Sequence, residues 1–175
     1  NDPGWLRRSP APGPGFVVAR VDPPTPEINR FFYTAVGGDW FWVARLPWTY
    51  ERWLAHLNLP GMETWVLSAG GIPAGYFELE AAPGGDAEIR SFGLLPRFTG
   101  QGLGGYLLTT AVERAWQAGC PRVWLHTCSL DHPTALKNYL SRGFRLFRTE
   151  TTAEEMPPDP IGPWPGAGPR EPGEI

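Results

Sequence analysis

Between residues 97 and 105 the chain reads Arg-Phe-Thr-Gly-Gln-Gly-Leu-Gly-Gly, and this glycine-dense turn constrains the fold more than any other segment. It follows a strand-like run that ends at Pro96 and leads into an apolar helical run beginning near Gly105. Glycine lets the backbone turn tightly and approach a ligand closely. The amides at the start of a helix converge on one spot, with the positive end of the helix dipole behind them. Strand, glycine turn and helix in that order predict an anion site suited to phosphate or pyrophosphate.

The rest of the chain supports one folded unit with loose ends. A length of 175 residues with 42% hydrophobic residues suits a single domain with its own core. The net charge of −3 argues against a nucleic-acid partner. No apolar run approaches the ~20 residues needed to span a bilayer, so no membrane association is expected. Cys120 and Cys128 give no disulfide framework, and a reducing, cytoplasmic location is expected. Prolines and glycines crowd the two ends. Residues 1–14 are expected to form a flexible arm, 15–152 a single domain, and 153–175 an extended tail laid on the surface through Trp164.

Within the domain the periodicities change in order. Residues 16–21 read as a strand. Thr25 caps a helix with Pro26 at its first position and a stripe of Ile28, Phe31, Phe32 and Ala35. Thr49 caps a second helix carrying Trp53, Leu54 and Leu57. Residues 64–68 and 73–80 form a hairpin through Ala69-Gly70-Gly71, and residues 87–95 are the next strand. A helix over 105–118 buries Leu107, Leu108, Ala111 and Ala115. A strand over 122–128, a helix over 132–142 and a final strand over 144–148 complete the order β-α-α-β-β-β-α-β-α-β. This predicts an α/β fold with a mixed sheet covered by helices on both faces.

Gly100, Gly102 and Gly105 also match G-x-G-x-x-G, the dinucleotide fingerprint of Rossmann folds. That reading wants an acidic residue about 20 residues on, at the end of the next strand. Here that strand ends in His126, Thr127 and Cys128, and the first acid is Asp131, already at the next helix start. An NAD(P)-binding protein is therefore the weak alternative. His126, Cys128 and His132 fit no standard zinc spacing, so no metal is expected.

The segment Leu94-Leu95-Pro96-Arg97-Phe98-Thr99-Gly100-Gln101-Gly102-Leu103-Gly104 resembles motif A of the GNAT superfamily of N-acetyltransferases, with Thr99 where Arg or Gln is usual. The run from His132 to Phe144 resembles the family's N-x-x-A-x-x-x-Y-x-x-x-G-F, with His132 in the Asn position and with Ala135, Tyr139, Gly143 and Phe144 in place. The two motifs span residues 86–149. The resemblance implies a GNAT-like, mostly antiparallel sheet of six to seven strands. It also implies direct transfer of an acetyl group from acetyl-CoA, as cosubstrate, to a primary amine, with a small molecule favoured over a protein. The alternative is a non-catalytic CoA-sensing module of the same fold. Family members often form dimers, so a homodimer is one expectation.

The resemblance further implies that exposed backbone of Phe92, Gly93 and Leu94 holds the pantetheine arm. Thr99, Gly100, Gln101, Gly102, Leu103, Gly104 and Gly105 would hold the pyrophosphate, with His132 beside the cofactor. Tyr139 takes the family's position for the proton donor to the departing thiolate, against packing alone. Glu88 is the candidate base, against an ion pair with Arg90. Strand alternation puts Glu88, Arg90 and Phe92 on one face. His126 is a second base or substrate contact, although a buried structural histidine is the simpler expectation. The aromatics Phe32, Trp40 and Trp42 are candidates for the acceptor wall, because adjacent residues such as Trp40-Phe41-Trp42 cannot all face one core.

Overall fold

The structure is a computed structural model, described here for residues 3–162. Five strands, β1 (Phe16–Arg20), β2 (Met62–Ala69), β3 (Ile72–Ala81), β4 (Asp86–Leu94) and β5 (Arg122–Leu125), lie in one sheet in chain order. The first three junctions are antiparallel and β4–β5 is parallel. The helices are α1 (Pro26–Gly37), α2 (Tyr50–Leu57), α3 (Leu103–Gln117) and α4 (Ala135–Ser141). A sheet with one parallel pair at its edge is not the doubly wound parallel sheet that the dinucleotide reading requires.

Among the described residues the strand count is five rather than six to seven. Residues 144–148 form no strand, and Leu146 and Phe147 stay exposed there. The strand period lasts only five residues in that segment, and its apolar side chains gain no cover against the sheet. Phe147 instead lies under the guanidinium of Arg122 at 4.8 Å.

The sheet has two covered faces. Leu103, Leu107, Leu108, Ala111, Val112 and Ala115 of α3 pack with Phe77, Leu79, Ala87 and Ile89. On the other face Phe32 and Val36 of α1 pack on Tyr76 of β3. The α1 stripe is offset from the expected one: Asn29, Phe32, Tyr33 and Val36 are buried, while Ile28 and Phe31 are exposed. A polar residue enters this stripe because Asn29 Nδ2 donates to Thr64 Oγ1 at 2.8 Å and to Glu78 at 2.7 Å. In α2, Thr49 caps the helix as expected, accepting from the Arg52 amide, and Trp53 and Leu57 are buried.

β4 carries a bulge. The pairs Phe77↔Phe92 and Glu78↔Ser91 are followed by Leu79↔Ile89 and Glu80↔Glu88, so Arg90 is the extra residue. The bulge breaks the expected alternation. Glu88 and Ser91 pair with residues on the α1/α2 face, whereas Phe92 pairs with Phe77 on the α3 face.

The N-terminal segment is held along part of its length. Leu6 is buried in the α3-side core, and Trp5 packs edge-on against Trp116 and Phe144. The Arg7 and Ser9 amides donate to the Arg142 carbonyl and to Thr109 Oγ1, both at 3.0 Å. Two apolar side chains among the prolines are enough to dock it. At the other end, the chain runs without helix or strand from residue 142 to 162, where the Gly162 amide donates to the Gly38 carbonyl at 3.0 Å. Trp164, expected to hold the tail, lies outside the described residues.

Candidate functional site

β4 and β5 pair only from Asp86↔Arg122 to Ile89↔Leu125. β4 then continues through Phe92, Gly93 and Leu94, while β5 ends and the backbone leaves at His126 for the loop that leads to α4. The parallel pair therefore parts at its carboxyl end, and among the described residues that side of Phe92–Leu94 has no strand partner. In open sheets this end of a parallel pair is where ligands bind.

The glycine turn stands at the mouth of this gap. Gly100 and Gly102 have φ of +79° and +78°, and Gly102 is the residue that caps α3. A Cβ built on either meets nothing within 4 Å, so glycine is required by backbone conformation rather than crowding, and the space before the turn is open. Thr99 and Gln101 are exposed, and Gln101 Nε2 donates to the Arg97 carbonyl at 2.8 Å, bracing the turn. The Leu103 side chain is buried and anchors the helix start, leaving its main chain for a ligand. Gly104 is partly exposed and close to Asn138 of α4. Gly105 differs from the others: it is buried and its amide donates to the Gly102 carbonyl at 3.2 Å. An open cradle with left-handed glycines at a helix N-terminus fits the diphosphate of a coenzyme.

On the far side of the gap, Tyr139 of α4 is buried, with Phe92 and Phe144 at ring-centroid distances of 6.0 and 6.2 Å. Burial, helped by the Asp131 carboxylate, pushes its phenol well above the ordinary range. Tyr139 thus keeps its proton at neutral pH. His132 sits at the entrance of α4. Its Nδ1 accepts from the Thr134 amide at 3.1 Å, and burial lowers its pKa. The imidazole is then neutral with its proton on Nε2.

Trp40 and Trp42 face the same loop. The Trp40 ring meets His132 edge-on at 4.8 Å, and Trp42 Nε1 donates to Asp131 Oδ1 at 3.3 Å. Asp131 Oδ2 in turn accepts from Thr127 Oγ1 at 2.7 Å and from the Cys128 amide at 3.0 Å. Trp42 can lie there because residue 37 is glycine: a Cβ on it would come within 2.2 Å of the indole. Phe32 is not part of this wall. It is 1% exposed and stacked on Tyr76, so it is core. His126 is exposed, not buried as expected.

Glu88 lies on the α1/α2 face, partly buried, and pairs with Arg90 at 3.1 Å. Arg90 also bridges to Glu80 at 2.6 Å. Burial raises the Glu88 pKa, Arg90 opposes the rise and Glu80 adds to it. Glu88 and Tyr139 therefore flank β4 from opposite faces.

Sequence reasoning missed Glu78. It is 0% exposed, at the middle of β3. Its carboxylate takes Arg45 Nη1 at 2.6 Å, Asn29 Nδ2 at 2.7 Å, His56 Nε2 at 3.1 Å and Ser91 Oγ at 3.4 Å. Burial alone would raise its pKa, but the His56 hydrogen bond and the Arg45 charge outweigh it and hold the carboxyl at about 2. The available signal was a single acid inside the nearly continuous apolar run Ala74-Gly75-Tyr76-Phe77-Glu78-Leu79.

Comparison with known proteins agrees with this geometry. Among solved structures, a transcriptional regulator from Bacillus halodurans C-125 is 22% identical, with 80% of this chain and 99% of that chain covered at a TM-score of 0.63. An aminoglycoside acetyltransferase from an uncultured soil metagenomic sample, in complex with trehalose, is 15% identical over 80% and 97% of the two chains, with a TM-score of 0.62. A GNAT family acetyltransferase from Elizabethkingia anophelis, with acetyl-CoA bound, is 18% identical over 78% and 80%, with a TM-score of 0.58. At these identities the likeness is one of fold. No curated protein matches the sequence. Residues 26–144, well over half of the chain, match the sequence profile of the Acetyltransferase (GNAT) family, and the chain belongs to that family.

Proposed function

We propose that the protein is an N-acetyltransferase that moves an acetyl group from acetyl-CoA to a primary amine by direct attack, with both substrates bound together. The observation that carries this reading is the open glycine cradle at the mouth of the β4–β5 gap, with a protonated Tyr139 across that gap. When bound, acetyl-CoA supplies an activated thioester, and the chain's own groups do the rest. The amides of residues 100–104 hold the diphosphate, and the free edge of Phe92–Leu94 holds the pantetheine arm. His132 offers Nε2–H beside it. Binding both partners in one gap supplies proximity and orientation.

Two protons must move. An alkyl amine with a pKa of ~10 must lose one before it attacks. Glu88 accepts it, directly or through water, because burial makes its carboxylate more basic than an exposed one. Tyr139 gives its phenolic proton to the thiolate that leaves. Trp40 and Trp42 wall the acceptor side. An aromatic wall suits a small amine with an apolar or cationic part, in keeping with the fold-level likeness to an aminoglycoside acetyltransferase. Residues 15–152 would form the catalytic unit, acting in the cytosol. Titration calorimetry tests the cofactor, with acetyl-CoA expected to bind and NAD(P) not. Thiol release across an amine panel then tests turnover. Binding without release from any amine would make the protein a CoA sensor.

A further inference from the structure

The buried carboxylate of Glu78 holds the Arg45 guanidinium at 2.6 Å, and this cation comes from the chain's own loop. Arg45 belongs to the irregular segment between Trp40 and Tyr50, which forms turns but no helix or strand after the turn at 38–40. Its guanidinium lies 5.6, 5.1 and 5.8 Å from the ring centroids of Tyr33, Trp48 and Trp53. Three rings and one carboxylate around a cation are the groups that recognise an ammonium or guanidinium ion. Two positions tie this cage to the site described above. Glu78 accepts from Ser91, the residue directly after the Arg90 bulge on the strand that borders the cofactor gap. Outside, Trp48 and Trp53 also line an open cleft of about 230 Å³, together with Tyr50, Arg30 and Glu27. The cage thus lies between a solvent-open cleft and the strand beside the acetyl group's expected position.

We propose that this cage is the ammonium site for the acceptor, and that Arg45 is its resident occupant, which a cationic amine displaces when it binds. The proposal rests on the acetyltransferase reading for its link to catalysis, although the cation site itself does not. It commits to the substrate class: an amine carrying a second positive charge, one cation held by Tyr33, Trp48, Trp53 and Glu78 while the other amine reacts. It also gives the loop a role. An empty cage would leave the buried Glu78 carboxylate without its guanidinium partner, a costly state, so Arg45 closes the site between turnovers. Titratable and charged groups facing Glu78 are Arg45 from the loop and His56 from α2; Tyr33 of α1 lies near it.

Arg45→Ala tests this with methylguanidinium as the probe. The variant should bind methylguanidinium, while the wild type, its cage filled, binds at least about tenfold more weakly. In the variant, methylguanidinium should inhibit acetylation competitively against a diamine such as cadaverine and not against acetyl-CoA. Turnover without such competition overturns the cage and leaves the acetyltransferase reading standing. Binding without turnover of any amine does the reverse. Should Arg45→Ala fail to fold, limited trypsin digestion of the wild type decides. Displacing Arg45 exposes the Arg45–Leu46 bond, so cadaverine should speed that cut about fivefold or more, and an equal concentration of 1,5-pentanediol should not. An unchanged or slower cut with the diamine overturns the proposal.

Discussion

Trp42 donates its indole N–H to Asp131 across 3.3 Å, joining the segment after α1 to the loop between β5 and α4. The same carboxylate orders Thr127 and Cys128, and the next residue, His132, lies edge-on to Trp40. The proposed acceptor wall and the motif that enters the cofactor gap are thus one connected structure. Trp42→Phe keeps the ring over Gly37 but removes the donor. A partly buried hydrogen bond to a carboxylate contributes about 1 kcal/mol, so acetyl-CoA affinity should fall about fivefold. Calorimetry checks it, and a melting curve should show only a small shift.

The glycine cradle makes a stronger prediction. Gly102 has a positive φ and faces open space, so a side chain there costs backbone strain and also projects before the amides. Gly102→Glu adds a negative charge where the diphosphate would lie. Acetyl-CoA affinity should fall at least about 30-fold, equivalent to about 2 kcal/mol. If the affinity survives, the diphosphate lies elsewhere.

Tyr139 separates chemistry from binding. Its pKa is set by burial and by Asp131, and no hydrogen bond to its hydroxyl enters. Tyr139→Phe therefore removes a proton donor without orphaning a partner. Turnover should fall about 10² to 10³-fold, the range for general acid catalysis, while the acetyl-CoA dissociation constant and the melting temperature stay close to wild type. Because the phenol is raised above its ordinary value of 10.0, it contributes no fall in rate up to that pH in the wild type.

As the proposed base, Glu88 should govern the acidic limb of the rate profile. A base must be unprotonated to act, so kcat/KM should rise with pH through its pKa. Burial places that pKa above the ordinary 4.5. Glu88→Gln should remove this limb and lower kcat, with little change in acetyl-CoA binding. A pH–rate profile that keeps the same limb in the variant would assign the base to another group.

Much of this site was legible before any coordinates, and the reason is local. The glycine turn, the α3 stripe of Leu107, Leu108, Ala111 and Ala115, and the Ala135–Tyr139 spacing each lie within one short window. Glu78 was not legible, because its partners Asn29, Arg45, His56 and Ser91 come from four other segments. An acid in a strand reads by default as a solvated residue. The same cluster explains the shifted α1 stripe, since the buried Asn29 is bonded to both Glu78 and Thr64. The bulge at Arg90 leaves no mark in composition, yet it sends Glu88 and Phe92 to opposite faces. Residues 144–148 fail in the other sense: the alternation is present and the partner strand is not.

The Glu78 cluster also sets how stability responds to acid. The carboxyl has a pKa of about 2 when folded against an ordinary 4.5. The folded state therefore binds the proton less readily than the unfolded chain, and folding is favoured most where the group is ionised in both. That contribution is complete above about pH 5 and is lost as pH falls from 4.5 toward 2. The difference corresponds to about 3 kcal/mol. Glu78→Gln cannot ionise, so its stability should be flatter across that window. At neutral pH it leaves Arg45 and its three rings around an uncompensated charge and should be less stable by about 3 kcal/mol. For a domain of this size that is a drop of about 6–12 °C in melting temperature. Denaturation curves at several pH values for both proteins check the sign. The gap between them should narrow as the pH is lowered, and a gap that stays constant down to pH 2 would mean that Glu78 is not the ionised centre of the cluster.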